Sequence, residues 1–127
     1  MKTRRPGPLT DAELEIMHVV WELGEATVRQ VHEVLAARRS VAYTTVMTML
    51  GLLARKGHLK KEESGRAYVY RPAHPKGRVV STMLDDFVSR VFRGSARPLV
   101  LALLKDRKIS KRELDEIARL AEEEERR

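Results

Sequence analysis

The sequence contains no cysteine, which excludes a disulfide framework, a thiolate metal site and a cysteine nucleophile. The same absence suits a reducing cytoplasm. Aromatic residues are scarce, 5% of 127, so the core has to be aliphatic. Nowhere does an apolar run reach the roughly 18 residues of a membrane span. The basic start Met1 to Pro8 leads into polar residues rather than the apolar segment of a secretory signal. A soluble, intracellular protein is expected. Enzyme signatures are missing as well: there is no Gly-rich phosphate loop, no His-Glu-x-x-His and no nucleophile elbow. His18, His32, His58 and His74 are scattered, no two of them at a helical ligand spacing. No catalysis, metal, cofactor or small-molecule substrate is therefore expected.

What the chain has is positive charge, arranged in blocks. Its 25 Lys and Arg outnumber 18 Asp and Glu, for a net +7. Lys2, Arg4 and Arg5 open the sequence, and residues 6–37 then hold a single base, Arg29, among six acids. Between 38 and 71 the sign reverses, with eight bases facing only Glu62 and Glu63. A concentrated basic stretch points to a polyanion, with double-stranded DNA the first candidate. Charge alone fits a solvated face equally well, so the architecture around the block has to decide.

Thr10-Asp11-Ala12-Glu13 and Thr27-Val28-Arg29-Gln30 are capping-box signals, each opening a helix. The first helix carries Leu14, Met17, Val20 and Trp21 at helical spacing, widened by Ile16 and Leu23, and Gly24 stands where a C-cap is expected. The second is short, with Val28, Val31, Val34 and Leu35 turned inward. A third helix is expected from just after Ser40 to Gly57, with Val46, Met49, Leu50 and Leu53 as its core stripe. Past Gly57 the period changes: Leu59 to Glu62 and Ala67 to Arg71 read as two short strands around a Ser64-Gly65-Arg66 turn. Three helices followed by a basic β-hairpin is the order of a winged helix-turn-helix, in which the third helix enters the major groove and the hairpin flanks it on the phosphate backbone. The expected fold is mainly α, with this winged-helix domain over 1–73.

Residues 74–127 are expected to form a small three-helix domain. A long helix bears Val79, Val80, Met83, Leu84, Phe87, Val88, Val91 and Phe92; a second runs from about Ala96 to Lys105; Ser110-Lys111-Arg112-Glu113 caps the last. These helices are apolar on several faces, yet the segment is below the size at which a lone core is comfortable. Burial against a second copy is the economical solution, and Val80, Met83, Leu84, Phe87, Val91, Leu99, Leu103, Leu114 and Ile117 are the expected homodimer interface.

On the third helix, Thr44, Thr45 and Thr48 project from one side, where a hydroxyl can bond a base edge and a methyl can meet that of thymine. Tyr43 is placed to donate to a phosphate, and Met47 to touch bases or fill the flank. Arg29, Arg55, Lys56, Lys60, Lys61 and Arg66 fit phosphate contacts, which position a protein without reading sequence. The competing reading is a winged-helix protein-interaction module, its threonine face binding a partner and its bases merely solvated. Sequence-dependent DNA retention at physiological salt separates the two.

Several motifs together resemble the penicillinase-repressor family of bacterial transcriptional regulators (BlaI/MecI type). They are Leu9 to Met17 with Val20-Trp21, Ala42 to Thr48, Leu53 to Gly57, and Gly65 to Tyr70, and the similarity extends from residue 9 to about 120. The resemblance implies a cytoplasmic homodimer that represses transcription by binding a palindromic operator through two winged helices. In the family's induced branch a membrane sensor-protease partner accompanies cleavage of the dimerisation domain at an Asn-Phe bond, and here Ala102-Leu103 stands in that place. Copper-responsive relatives use a cysteine motif that this chain lacks.

Overall fold

The computed structural model describes residues 6–126; the basic cluster Lys2, Arg4 and Arg5 lies outside them. The chain runs α1 (Asp11–Leu23), β1 (Ala26–Thr27), α2 (Val28–Ala36), α3 (Tyr43–Arg55), β2 (Leu59–Ser64), β3 (Ala67–Pro72), α4 (Lys76–Phe92), α5 (Arg97–Lys105) and α6 (Lys111–Glu125). It divides into two compact units, 1–81 and 82–127. The division falls inside α4, later than the boundary expected after residue 73, because Val79 in the first turns of α4 is already buried.

Local chemistry explains the helix starts. At α1, α2 and α6 the expected reciprocal bonds form: Thr10 with Glu13, Thr27 with Gln30 and Ser110 with Glu113 each satisfy two backbone N–H groups that the helix itself leaves unpaired. Helix α1 ends at Gly24, whose φ of 83° a side chain would resist and whose N–H donates to the Val20 carbonyl at 2.8 Å. Helix α3 begins at Tyr43 and stops at Arg55, shorter at both ends than its apolar pattern predicts.

The core of the first unit is aliphatic, as the shortage of aromatics requires. Ile16, Met17, Val19 and Val20 of α1 pack with Val31 and Leu35 of α2, Val46, Leu50 and Leu53 of α3, and Ala26, Leu59 and Tyr70 of the strands. Each such side chain contributes roughly 1.5–3 kcal/mol on burial. Two expectations for α1 need correction: Trp21 and Leu14 are only half-buried, at the margin of the stripe that Ile16, Met17, Val19 and Val20 bury, and Leu23, the last helical residue, is 47% exposed.

The sheet has three strands, not the two of a lone hairpin. Residues Ala26 and Thr27 form a short β1 that pairs antiparallel with β3 at Tyr70 and Val69, giving the order β1-β3-β2. Strands β2 and β3 pair from Leu59 opposite Pro72 to Ser64 opposite Ala67, closed by a two-residue turn in which Gly65 supplies a φ of 64°.

In the second unit no residue of α5 or α6 is buried. Of the residues expected at a dimer interface, Val80, Leu84, Phe87, Val91 and Ile117 are exposed, while Met83, Leu99, Leu103 and Leu114 are half-buried. Ala102 and Leu103 lie within regular α5 helix and are half-buried. No helix among the described residues is long and apolar enough to cross a membrane.

Candidate nucleic-acid interface

The stripe Val46, Leu50, Leu53 fixes the rotation of α3 by burying one side completely. Helical geometry then turns Thr44, Thr45, Met47 and Thr48 outward, and all four are exposed. These short or flexible side chains let another surface approach the helix closely. Tyr43, at the first turn, is 46% exposed, and its ring packs against that of His32 in a T-shaped pair with centroids 5.5 Å apart. His32 Nε2 also bonds the Val41 carbonyl at 2.9 Å. One imidazole on α2 therefore braces both the turn into α3 and the first residue of its exposed face. Sequence reading passed over this histidine because its partners lie nine and eleven residues away, beyond any helical spacing.

The basic residues separate into two groups. Arg29 is highly exposed on α2, with only a loose 3.6 Å pairing to Glu33 of the kind worth little in water. Arg55 is exposed at the end of α3 and Arg66 at the hairpin tip. Lys60 and Lys61 are exposed on β2.

Lys56 belongs to the other group, and its expected phosphate contact needs correction. Its ammonium is spent inside the fold, donating to Glu13 Oε1 at 2.8 Å and to the Pro8 carbonyl. Only 23% of the Lys56 side chain and 3% of the Glu13 side chain are exposed. The same Glu13 oxygen accepts the Thr10 N–H at 2.9 Å, so the α1 capping box and this ion pair share one carboxylate. His58 Nε2, bonded to the Gly7 carbonyl, completes the attachment of residues 7 and 8 to the corner between α3 and β2.

Burial pushes the Glu13 carboxyl up, but hydrogen bonds from Lys56 and Thr10 outweigh it and hold the group below its usual value of 4.5. A carboxyl depressed in the folded state stabilises the fold above its unfolded pKa and loses that contribution as pH falls through the folded one. Thermal melts should therefore show stability from this group undiminished at neutral pH and lost below about pH 4.5, and Glu13→Gln should flatten that acid limb. Glu15 is likewise lowered, first by its hydrogen bond from Arg39 at 2.6 Å.

The sequence profile described as penicillinase repressor matches residues 9–123. The chain is 30% identical over 115 residues to the penicillinase repressor of Bacillus licheniformis, covering 91% of this chain and 90% of that one. It is 38% identical over 100 residues to the transcriptional regulator BlaI of Mycobacterium tuberculosis, covering 78% and 72% of the two chains. Among solved structures, the DNA-binding domain of the repressor BlaI aligns with a TM-score of 0.53 at 31% identity, over 58% of this chain and 90% of that one. The Bacillus licheniformis BlaI monomeric form in complex with the blaP half-operator aligns with a TM-score of 0.51 at 32% identity, over 57% and 89%. The three helices and wing of the first unit thus have the winged-helix fold of BlaI DNA-binding domains, and the profile match continues into α6. The chain belongs to the penicillinase-repressor family of DNA-binding transcriptional repressors.

Proposed function

We propose that this protein is a cytoplasmic homodimeric repressor that occupies an inverted-repeat operator, with one α3 in the major groove of each half-site and the hairpin on the flanking backbone. The observation that carries the reading is the outer face of α3, where Thr44, Thr45, Met47 and Thr48 stand exposed and free of charge, with exposed bases at the end of the same helix, Arg55, and at the hairpin tip, Arg66. Uncharged hydroxyls and methyls suit base edges, and flanking bases suit phosphates. Arg29, near the start of α2, adds a phosphate contact, and the basic β2 strand adds another from the hairpin.

Dimerisation rests on the second unit. Its helices bury none of α5 or α6, and Leu84, Val91, Ile117 and Leu120 are each at least half exposed. A second copy supplies the missing cover, and two-fold symmetry then sets two recognition helices about one helical turn apart. Release follows when this unit is cut or loosened. A membrane sensor-protease acting at Ala102-Leu103 would first have to unwind α5.

Selection of random duplex DNA by the purified protein at about 150 mM salt tests the reading. The expected product is an inverted repeat bound roughly 10³ to 10⁷ times more tightly than random DNA. Recovery of no motif would leave a protein-interaction module. On the selected site, Thr45→Ala and Thr48→Ala should each relax discrimination by about 1 kcal/mol at the base pair they read, with other positions unchanged.

A further inference from the structure

Lys60 and Lys61 are neighbours in sequence, but a strand sends successive side chains to opposite faces. Lys61 stands opposite Tyr70 and Glu63 opposite Tyr68, whereas Lys60 stands opposite Arg71 and Glu62 opposite Val69. Directly opposed residues share a face. Leu59 and Tyr70 identify the first face as the one laid on the core, in the same cluster as Leu50 and Leu53 of α3. Towards the tip that face outruns the core. Tyr68 there is 45% exposed, and Lys61 holds its Nζ 3.9 Å from the centroid of the Tyr68 ring. The hairpin's α3 side thus ends in a flat aromatic surface with an ammonium over it, and that ammonium has no carboxylate partner among the described residues. On the second face Arg71 is tied to Glu62 at 3.4 Å and to Glu25 at 3.9 Å, so Lys60 sits beside a cluster of one base and two acids, whose excess negative charge its own charge offsets.

We propose that the wing grips DNA through its Lys61–Tyr68 face and not through Lys60. The inference rests on the DNA-binding reading above and names which side of the hairpin performs it. A duplex lying along the exposed face of α3 meets the hairpin on its α3 side. Lys61 reaches a phosphate there, and the Tyr68 ring lies against the adjacent deoxyribose. Resting on the ring, the Lys61 side chain is already partly ordered, so less freedom is lost when it takes a phosphate. Glu63 shares this face one step nearer the tip, and its charge opposes the same phosphates. That opposition supplies a probe of opposite sign.

The test is a salt titration of full-length variants on the duplex that the wild type selects, with folding checked by thermal melting. Lys61→Ala should weaken binding about fivefold at ~150 mM salt and lower the salt slope by about 1. Glu63→Gln should tighten binding by about twofold, and Lys60→Ala should change it by less than about twofold. Tyr68→Phe, which keeps the ring, should match the wild type, while Tyr68→Ser should lose about as much as Lys61→Ala. A slope loss in Lys60→Ala equal to or larger than that in Lys61→Ala overturns the proposal, as does a Glu63→Gln variant that gains nothing. If the wild type binds no duplex at all, the DNA-binding reading falls first and this one with it.

Discussion

Replacing Leu84 and Val91 together by glutamate is expected to leave a folded monomer whose affinity for a full inverted repeat is lower by about 100-fold or more. Both side chains are at least half exposed and lie seven residues apart on one face of α4, so no core of a single chain depends on them. In a two-fold dimer each change occurs twice, placing four carboxylates in a surface that would otherwise exclude water. The loss comes from linkage. A dimer holds its second winged helix near the second half-site at a high effective concentration, and a monomer must find each half-site independently. Binding to an isolated half-site should therefore stay at the wild-type level. Sedimentation would report the oligomeric state, and titrations on half and full sites would report the affinities. A variant that becomes monomeric yet keeps full-site affinity would show that dimerisation is not the control point.

Lys56→Ala is expected to cost about 3 kcal/mol of stability, because it strands a carboxylate that is 97% buried. For a domain of this size that corresponds to a fall of roughly 15 °C in Tm. The change should leave the salt slope of DNA binding untouched when measured well below the melting temperature, which separates a structural lysine from a phosphate contact. Pairing it with the loss of the carboxylate, as Glu13→Gln with Lys56→Met, should recover much of the stability, since the penalty lies in the unpaired charge more than in the missing bond. A Lys56→Ala protein that melts like the wild type but binds DNA with a shallower salt slope would reverse the assignment.

What could be read in the sequence was whatever local chemistry determines. The three capping boxes involve residues three apart, and each forms as its spacing predicts. The stripe Val46, Leu50, Leu53 shows which side of α3 is buried, and hence that Thr44, Thr45 and Thr48 face outward. Features that depend on distant partners were not legible. Strand β1 is two residues long and owes its existence to Val69 and Tyr70, more than forty positions away. Lys56 looked like one more member of a basic block, because nothing near it in sequence shows that Glu13 waits for it across the fold. Glu13 itself was read only as a capping residue, the part of its role that lies within three residues. The opposite facing of Lys60 and Lys61 follows from strand alternation alone, but grouping residues by charge hid it.

The sheet runs in the order β1-β3-β2. With β3 in the middle, β2 is the long free edge of the sheet, and its outer backbone groups are open to pairing with any extended chain that arrives. Two such hairpins brought close on neighbouring DNA sites would offer each other a ready template for strand addition. Lys60, Lys61, Glu62 and Glu63 fill the middle of that edge with four consecutive charges. Such a run is a poor substrate for edge-to-edge growth, since a copy docking against it must desolvate these charges along its whole length. Lys61, which draws the wing to a polyanion, thereby also belongs to the charged run that keeps the protein from aggregating through its own sheet.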